Sequence, residues 1–191
     1  MKKILLLVAA VGVLVSCNKS ETEYVLTGTI EGIADGKTVI IEVQDSLGQL
    51  KPIDTAKIEK GKFTFTGVAK EPAMHLIQVE GTQGKVPFIL ENGDIEMTIN
   101  KDSIQNTKVK GTYNNDELTN YKDAGMKIQK KMMKYQQDNM MKMQQAQQSQ
   151  DTVAMNSIRK EYGAFQDEFM KQSEDYVTNH PKAFITALIV D

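Results

Sequence analysis

The chain of 191 residues has no tryptophan and a single cysteine, Cys17. One thiol can form neither an internal disulfide nor the Cys-x-x-Cys pair of thiol–disulfide enzymes. Histidine is also scarce, and His75 and His180 lie far apart, without a cysteine, serine or carboxylate at a spacing typical of a triad or metal site. We therefore expect no enzyme activity, no metal and no cofactor.

An excess of positive charge is missing as well. The sequence has 23 lysines and arginines against 25 acidic residues, a formal net charge of −2. Domains that bind nucleic acids usually have a basic excess, so we expect no nucleic-acid partner.

The first residues have the parts of a bacterial lipoprotein signal. Two lysines precede an apolar run at residues 4–15. A membrane-spanning helix needs ~20 apolar residues, so this run is typical of a secretory signal instead. Ser16 is the small residue that a lipobox places before its cysteine. We predict a signal peptide at residues 1–16 and lipidation, including palmitate, at Cys17.

Residues 17–23 are polar after the cysteine and show no helix or strand pattern. They are expected to form a lipidated tether that holds the rest of the chain off a membrane. The predicted location is the cell envelope, anchored by lipid to the outer membrane on its periplasmic or its surface face.

Residues 24–111 alternate short apolar stretches with turn sequences. In the first stretch, Tyr24, Leu26 and Ile30 would share one face of a strand. Seven to eight such stretches predict an N-terminal antiparallel β-sandwich or open barrel. Residues 91–94, Glu-Asn-Gly-Asp, contain the Asn-Gly pair typical of tight turns, which predicts a β-hairpin there.

Residues 112–179 predict a long antiparallel α-helical hairpin with a break at residues 149–151. Asn114 or Asn115 is the predicted N-cap of its first helix. The second helix has an unbroken heptad pattern, which favours packing on a partner helix. That pattern consists of Met155, Ile158, Tyr162, Phe165, Phe169, Gln172 and Tyr176.

Residues 180–191 predict an apolar terminal helix with Pro181 in its first turn. A helix that is apolar nearly all round needs burial on most sides. Two interpretations are open: the helix folds back on the β domain, or it docks on protein elsewhere.

Seven of the eleven methionines lie between Met126 and Met155. Thioethers bind Cu(I), but no histidine accompanies these residues, so a methionine-lined helix seam is the favoured interpretation.

Four Asp-Ser or Asp-Thr pairs followed by an apolar residue resemble the O-glycosylation sequon of exported Bacteroidota proteins. Because the same pairs are frequent in turns, turn chemistry is the alternative explanation. The predicted acceptors are Ser46, Thr55, Ser103 and Thr152.

An ordered series of segments resembles a known family. It runs from the lipobox through Tyr-Val-Leu-Thr-Gly at residues 24–28 and Gly-Lys-Phe-Thr-Phe at 61–65 to Phe-Ile-Leu-Glu-Asn-Gly at 88–93. The chain resembles the uncharacterised N-terminal (DUF4369-type) domain of Bacteroidota thiol–disulfide oxidoreductase lipoproteins. Those proteins continue through a helical linker into a thioredoxin-like domain with a Trp-Cys-x-x-Cys motif, and this chain contains no such motif.

Three functional hypotheses follow. The first is a non-catalytic envelope lipoprotein, an interaction or spacer module with a protein partner in the envelope. The second is the N-terminal part of a membrane-anchored oxidoreductase whose catalytic domain lies outside this sequence. The third is a module that binds glycans or peptides on a face of the sandwich.

Overall fold

A computed structural model of the chain describes residues 22–190. The predicted signal peptide and Cys17 lie outside these residues, as does most of the tether. Within the described residues, eight strands come first and three α-helices follow. None of these helices is both long enough and apolar enough to cross a bilayer.

The strands form two four-stranded sheets. Sheet A has the order β4-β1-β7-β8, and sheet B has the order β3-β2-β5-β6. The predicted β-sandwich is confirmed, since the described strands lie in two packed sheets and form no closed barrel. In chain order the strands are β1 (Tyr24–Ile30), β2 (Thr38–Gln44), β3 (Leu50–Lys57), β4 (Lys62–Gly67), β5 (Ala73–Val79), β6 (Val86–Leu90), β7 (Gly93–Ile99) and β8 (Lys108–Lys110).

One strand pair differs from the antiparallel expectation. β1 and β7 run parallel, with Tyr24 opposite Gly93 and Ile30 opposite Ile99. All other neighbouring strands are antiparallel. Because β1 and β7 lie far apart in sequence, no local pattern reports their relative direction.

The hairpin predicted at residues 91–94 is wrong. β6 and β7 flank this segment but belong to different sheets, so the segment is a crossover. The Asn92 side chain holds it: its Oδ1 accepts from the Ala69 N–H at 2.8 Å, and its Nδ2 donates to the Ala69 carbonyl at 2.9 Å. This contact across 23 residues overrides the local turn preference.

The sandwich core consists of inward-facing side chains that alternate along the strands. β1 directs Tyr24, Leu26 and Ile30 inward, as predicted. Gly28 occupies the same face, and a β-carbon built there would lie 1.9 Å from Cζ of Phe63. The ring of Phe63 therefore occupies the space that a side chain at residue 28 would need.

Two long helices form the predicted hairpin. α1 (Tyr113–Gln148) has 36 residues and α2 (Thr152–Asn179) has 28. At 1.5 Å per residue they measure about 54 Å and about 42 Å. The break lies at residues 149–151, as predicted, and Asp151 caps α2 by accepting from the N–H groups of Val153 and Ala154.

The hairpin seam contains aromatic and aliphatic side chains. Ile128 of α1 and Ile158 of α2 are buried, and the rings of Tyr135 and Phe165 lie 5.7 Å apart. The methionines follow the predicted seam only in part, because Met133 and Met140 are 60% and 62% exposed.

The apolar C-terminal segment forms α3 (Phe184–Val190). It packs on the base of the hairpin rather than on the sandwich: Ile185 is buried in a cluster with Tyr176, Leu118 and Tyr121. The helix is not enclosed on all sides, because Val190 is 65% exposed.

Replacing Gly28 with alanine should destabilise the sandwich. The new methyl group would overlap the Phe63 ring, and such overpacking costs about 1–3 kcal/mol. Urea unfolding of Gly28→Ala measures the effect. The matched control is Gly163→Ala in α2, where no atom lies within 4 Å of the new methyl group; it should stabilise by up to about 1 kcal/mol. An unchanged free energy of unfolding for Gly28→Ala would contradict this packing.

Candidate functional site

The structure places the four predicted acceptor hydroxyls on four different elements. Ser46 is exposed in the turn after β2, and Thr55 is exposed on β3. Thr152 is exposed as the first residue of α2, while Ser103 is half-buried just before a short 3-10 helix at residues 104–106. The fifth predicted site, Cys17, lies outside the described residues.

The two histidines lie in different parts of the fold. His75 is buried beside Phe88, and its Nδ1 lies 2.9 Å from the Ala73 carbonyl oxygen. His180 follows α2 directly. Among residues 22–190, no group of three histidine, cysteine or acidic side chains could hold a metal ion.

A network of side-chain hydrogen bonds lies where α1 meets the sandwich. The predicted capping role of Asn114 and Asn115 is wrong, because α1 begins at Tyr113 and Thr112 occupies the N-cap position. Asn115 is instead fully buried. Its Oδ1 accepts from the Ile89 N–H at 2.9 Å, and its Nδ2 donates to the Ile89 carbonyl at 2.7 Å and to Thr112 Oγ1 at 2.8 Å.

This geometry makes Asn115 a substitute for a neighbouring strand. Ile89 belongs to β6, the edge strand of sheet B, whose outer N–H and C=O groups have no strand beside them. A free strand edge exposes unpaired backbone groups that can pair with other chains. The amide of Asn115 satisfies one such pair and attaches the first turn of α1 to sheet B.

Glu91 extends this attachment to the neighbouring elements. Its carboxylate accepts from the backbone N–H of Asn114 at 2.9 Å and from Nδ2 of the same residue at 2.6 Å. Oδ1 of Asn114 accepts in turn from the N–H of Phe184, at the start of α3, at 2.8 Å. We call Glu91, Asn114, Asn115 and their backbone partners the junction.

α1 is also attached to sheet A. The Thr119 hydroxyl donates to the Val109 carbonyl at 2.5 Å, and Nζ of Lys122 donates to the Thr107 carbonyl at 2.7 Å. Burial at this position lowers the pKa of Lys122 below its ordinary value. The first three turns of α1 therefore bridge both sheets at one end of the sandwich.

A second polar cluster lies where α2 ends. Glu117 Oε2 accepts from the Tyr176 hydroxyl at 2.8 Å and lies 2.7 Å from Nδ1 of His180. The rings of Tyr176 and His180 stack, with centroids 4.5 Å apart. Burial, followed by the bond to Glu117, raises the pKa of Tyr176 above its ordinary value. This cluster joins the end of α2 to the start of α1.

These contacts define the structural class of the chain, a two-sheet β-sandwich whose one end is covered by the first turns of a long helix. Residues 24–118 match the family model DUF4369, described as a domain of unknown function. The match extends past β8, so Glu91, Asn114 and Asn115 all lie within the matched segment. No curated protein and no solved structure gives a significant match to this chain.

The local sequence does not reveal the role of this site. It predicts a turn at Glu91 and a helix cap at Asn114 or Asn115, because these residue types are frequent in those places. Asn115 reaches its partner Ile89 across 26 residues, and no spacing rule covers such a pair.

Asn115→Ala should destabilise the protein strongly. It removes three hydrogen bonds and leaves the buried N–H and C=O of Ile89 unsatisfied, at a cost of about 3 kcal/mol. Urea unfolding followed by circular dichroism measures this.

Asn139→Ala is the matched control, because the Asn139 side chain bonds only locally, to the Tyr135 carbonyl within α1. It should change the free energy of unfolding by less than about 0.5 kcal/mol. Equal losses in the two variants would show that the junction has no special role.

Proposed function

We propose that this chain is a non-catalytic, lipid-anchored module of the bacterial cell envelope. Its sandwich holds the helical hairpin at a fixed orientation, so that the hairpin acts as a spacer and contact surface for another envelope protein. The observation that carries the proposal is that α1 is tied to both sheets by side-chain hydrogen bonds, to sheet B through the junction and to sheet A through Thr119 and Lys122.

Rigidity at the first turn of α1 matters because α1 is long. A helix of about 54 Å magnifies any change of angle at its first turn into a large displacement at its tip. Satisfied hydrogen bonds of a buried amide restrict such changes, since each alternative orientation would leave polar groups unpaired. A loosely linked hairpin would need none of these bonds.

The outer side of α1 supports a contact role. Met126, Met133 and Met140 follow one another at seven-residue intervals on the side of α1 that does not face α2. Heptad spacing of apolar side chains is the pattern that packs against a further helix, and methionine adapts to irregular partners. This pattern favours a helical segment of an envelope protein as the partner.

The lipid anchor and the envelope location rest on the lipobox that ends at Cys17. Acylation would use the only thiol of the chain, which leaves no cysteine for disulfide exchange. This argument supports a non-catalytic role for the sequence as given.

The likeness to oxidoreductase N-terminal domains favours a second candidate, the front part of a membrane-anchored oxidoreductase. In that case the hairpin would space a thioredoxin-like domain from the sandwich. A reading frame that continues past residue 191 into Trp-Cys-x-x-Cys would establish it. Glycan or peptide binding is the third candidate, and it would use the faces of the sandwich.

Pulsed electron paramagnetic resonance tests the fixed orientation. Spin labels at Leu47→Cys and Gln147→Cys, two exposed positions on the sandwich and near the hairpin tip, should give one narrow distance distribution. Adding Asn115→Ala should broaden it because the junction is lost, whereas adding Asn139→Ala should not. A broad distribution without either alanine would refute the spacer function.

Intact-mass spectrometry tests the anchor and the modifications. The purified chain should start at Cys17 and have the added mass of a lipid, and Cys17→Ala should lose that mass. Ser16→Ala keeps a small residue before the cysteine and should be lipidated normally. A mass equal to polypeptide plus lipid alone would remove the proposed glycosylation at Ser46, Thr55, Ser103 and Thr152.

A further inference from the structure

Sheet A has a transverse row of lysine and threonine side chains near one end of its outer face. Thr29 of β1 lies opposite Lys62 of β4 and opposite Thr98 of β7, and Thr98 lies opposite Lys108 of β8. The neighbouring residues in each strand point into the core, so these four side chains point outward. The row crosses three strand spacings, about 14 Å between its two lysines.

Further lysines surround this row. Lys60 and Lys101 lie in the turns beyond the strand ends, and Lys110 follows Lys108 on the same face of β8. Together the five lysines line an open groove of about 1270 Å³, against two acids, Glu31 and Asp102. The groove is thus positive on a chain whose formal net charge is −2.

The positive charges of the lysines in the row are only weakly neutralised by acidic side chains among the described residues. Lys62 makes no ion pair among the described residues, and Lys108 approaches only Asp123, at 3.7 Å. By contrast, Nζ of Lys110 lies 3.1 Å from the Glu96 carboxylate, and Lys101 pairs with Asp102. An external anion is therefore bound most favourably at the two ends of the row.

We propose that this row binds an acidic polysaccharide, a chain of sugars carrying carboxylate groups. The lysines at the ends attract the carboxylates, and the hydroxyls of Thr29 and Thr98 between them exchange hydrogen bonds with sugar hydroxyls. This site does not depend on the spacer role of the hairpin.

The charges on the rest of sheet A set the direction of the ligand. The next row along the strands consists of Thr64, Thr27, Glu96 and Lys110. A polyanion that ran along the strands would meet the Glu96 carboxylate, and Lys110 beside it is already ion-paired. It therefore lies across the strands, from Lys62 to Lys108.

The composition of the two rows favours a sugar polymer over other anions. Neither row contains an aromatic ring, which single-stranded nucleic acids use for base stacking, or an apolar side chain that could insert into a bilayer. Threonine hydroxyls, which donate and accept, match the hydroxyl-rich surface of a sugar. Lysine is a point charge without the fixed fork of arginine, which suits carboxylates that repeat along a flexible chain.

Binding of fluorescent polygalacturonate to the full chain in detergent tests the proposal, with neutral dextran as the blank. The double variant Lys62→Gln, Lys108→Gln should bind about tenfold more weakly, because two exposed charge contacts worth about threefold each are lost. The matched control, Lys127→Gln with Lys130→Gln on exposed α1 positions, removes the same charge and should stay within about twofold. Both double variants should unfold at the same temperature as the parent chain.

A change in the opposite direction sharpens the test. Glu96→Gln releases Lys110 and removes a repelling carboxylate, so polygalacturonate should bind about threefold more tightly. Glu174→Gln makes the same change of charge on α2, outside the groove, and should have no such effect.

Two outcomes would overturn the site: the absence of polygalacturonate binding, and equal weakening by both double variants. In the first case, binding to phosphatidylglycerol vesicles through Lys62 and Lys108 would assign the row to a lipid headgroup.

Discussion

The pairing of the Asn115 amide with the backbone of Ile89 is the constraint on which the rest of the structure depends. An eight-stranded sandwich has free sheet edges, and a free edge is a site of unwanted pairing. Here the N–H and C=O of one edge residue, Ile89, are satisfied by a side chain from the first turn of a helix. The interaction that protects this part of the edge is therefore also one that orients the hairpin.

The neighbouring contacts make that orientation specific. Glu91 ties the crossover between the sheets to Asn114, and Asn114 ties α1 to α3. Because the carboxylate and the amide each satisfy more than one partner, removing any one of them would leave other buried groups unpaired. Polar side chains thus couple the sandwich to α1, and the Asn114–Phe184 bond adds to the apolar packing of α3 on the hairpin.

This arrangement separates the two surfaces that we assign to binding. The outer side of α1 presents methionines at heptad intervals, and the outer face of sheet A presents lysines and threonines at strand spacing. The first suits a helix of a partner protein and the second a polyanion. The proposed lipid-anchored module would in this way contact a protein and an envelope polymer with different elements.

Much of the architecture was predictable because it depends on local periodicity. The inward face of β1, the break at residues 149–151 and the heptad seam of α2 were all visible as alternation, turn residues or 3-4 spacing. At the Asn-Gly pair of residues 92–93, local preference does not predict the structure. Its local preference is a hairpin, but Asn92 bonds to Ala69, and the chain crosses to the other sheet.

The sequence by itself determined the order of β and α regions and the inward-facing residues, and it alone supports the lipobox predicted to end at Cys17. Only the tertiary structure decided that β1 pairs in parallel with β7 and that Asn115 bonds to the edge of β6. It also decided that Lys62 and Lys108 lie at the two ends of one row of side chains. The reason is that each of these relations joins residues distant in the chain. Short-range steric and hydrogen-bonding preferences, which a sequence pattern records, have no means of specifying which distant segment becomes the neighbour.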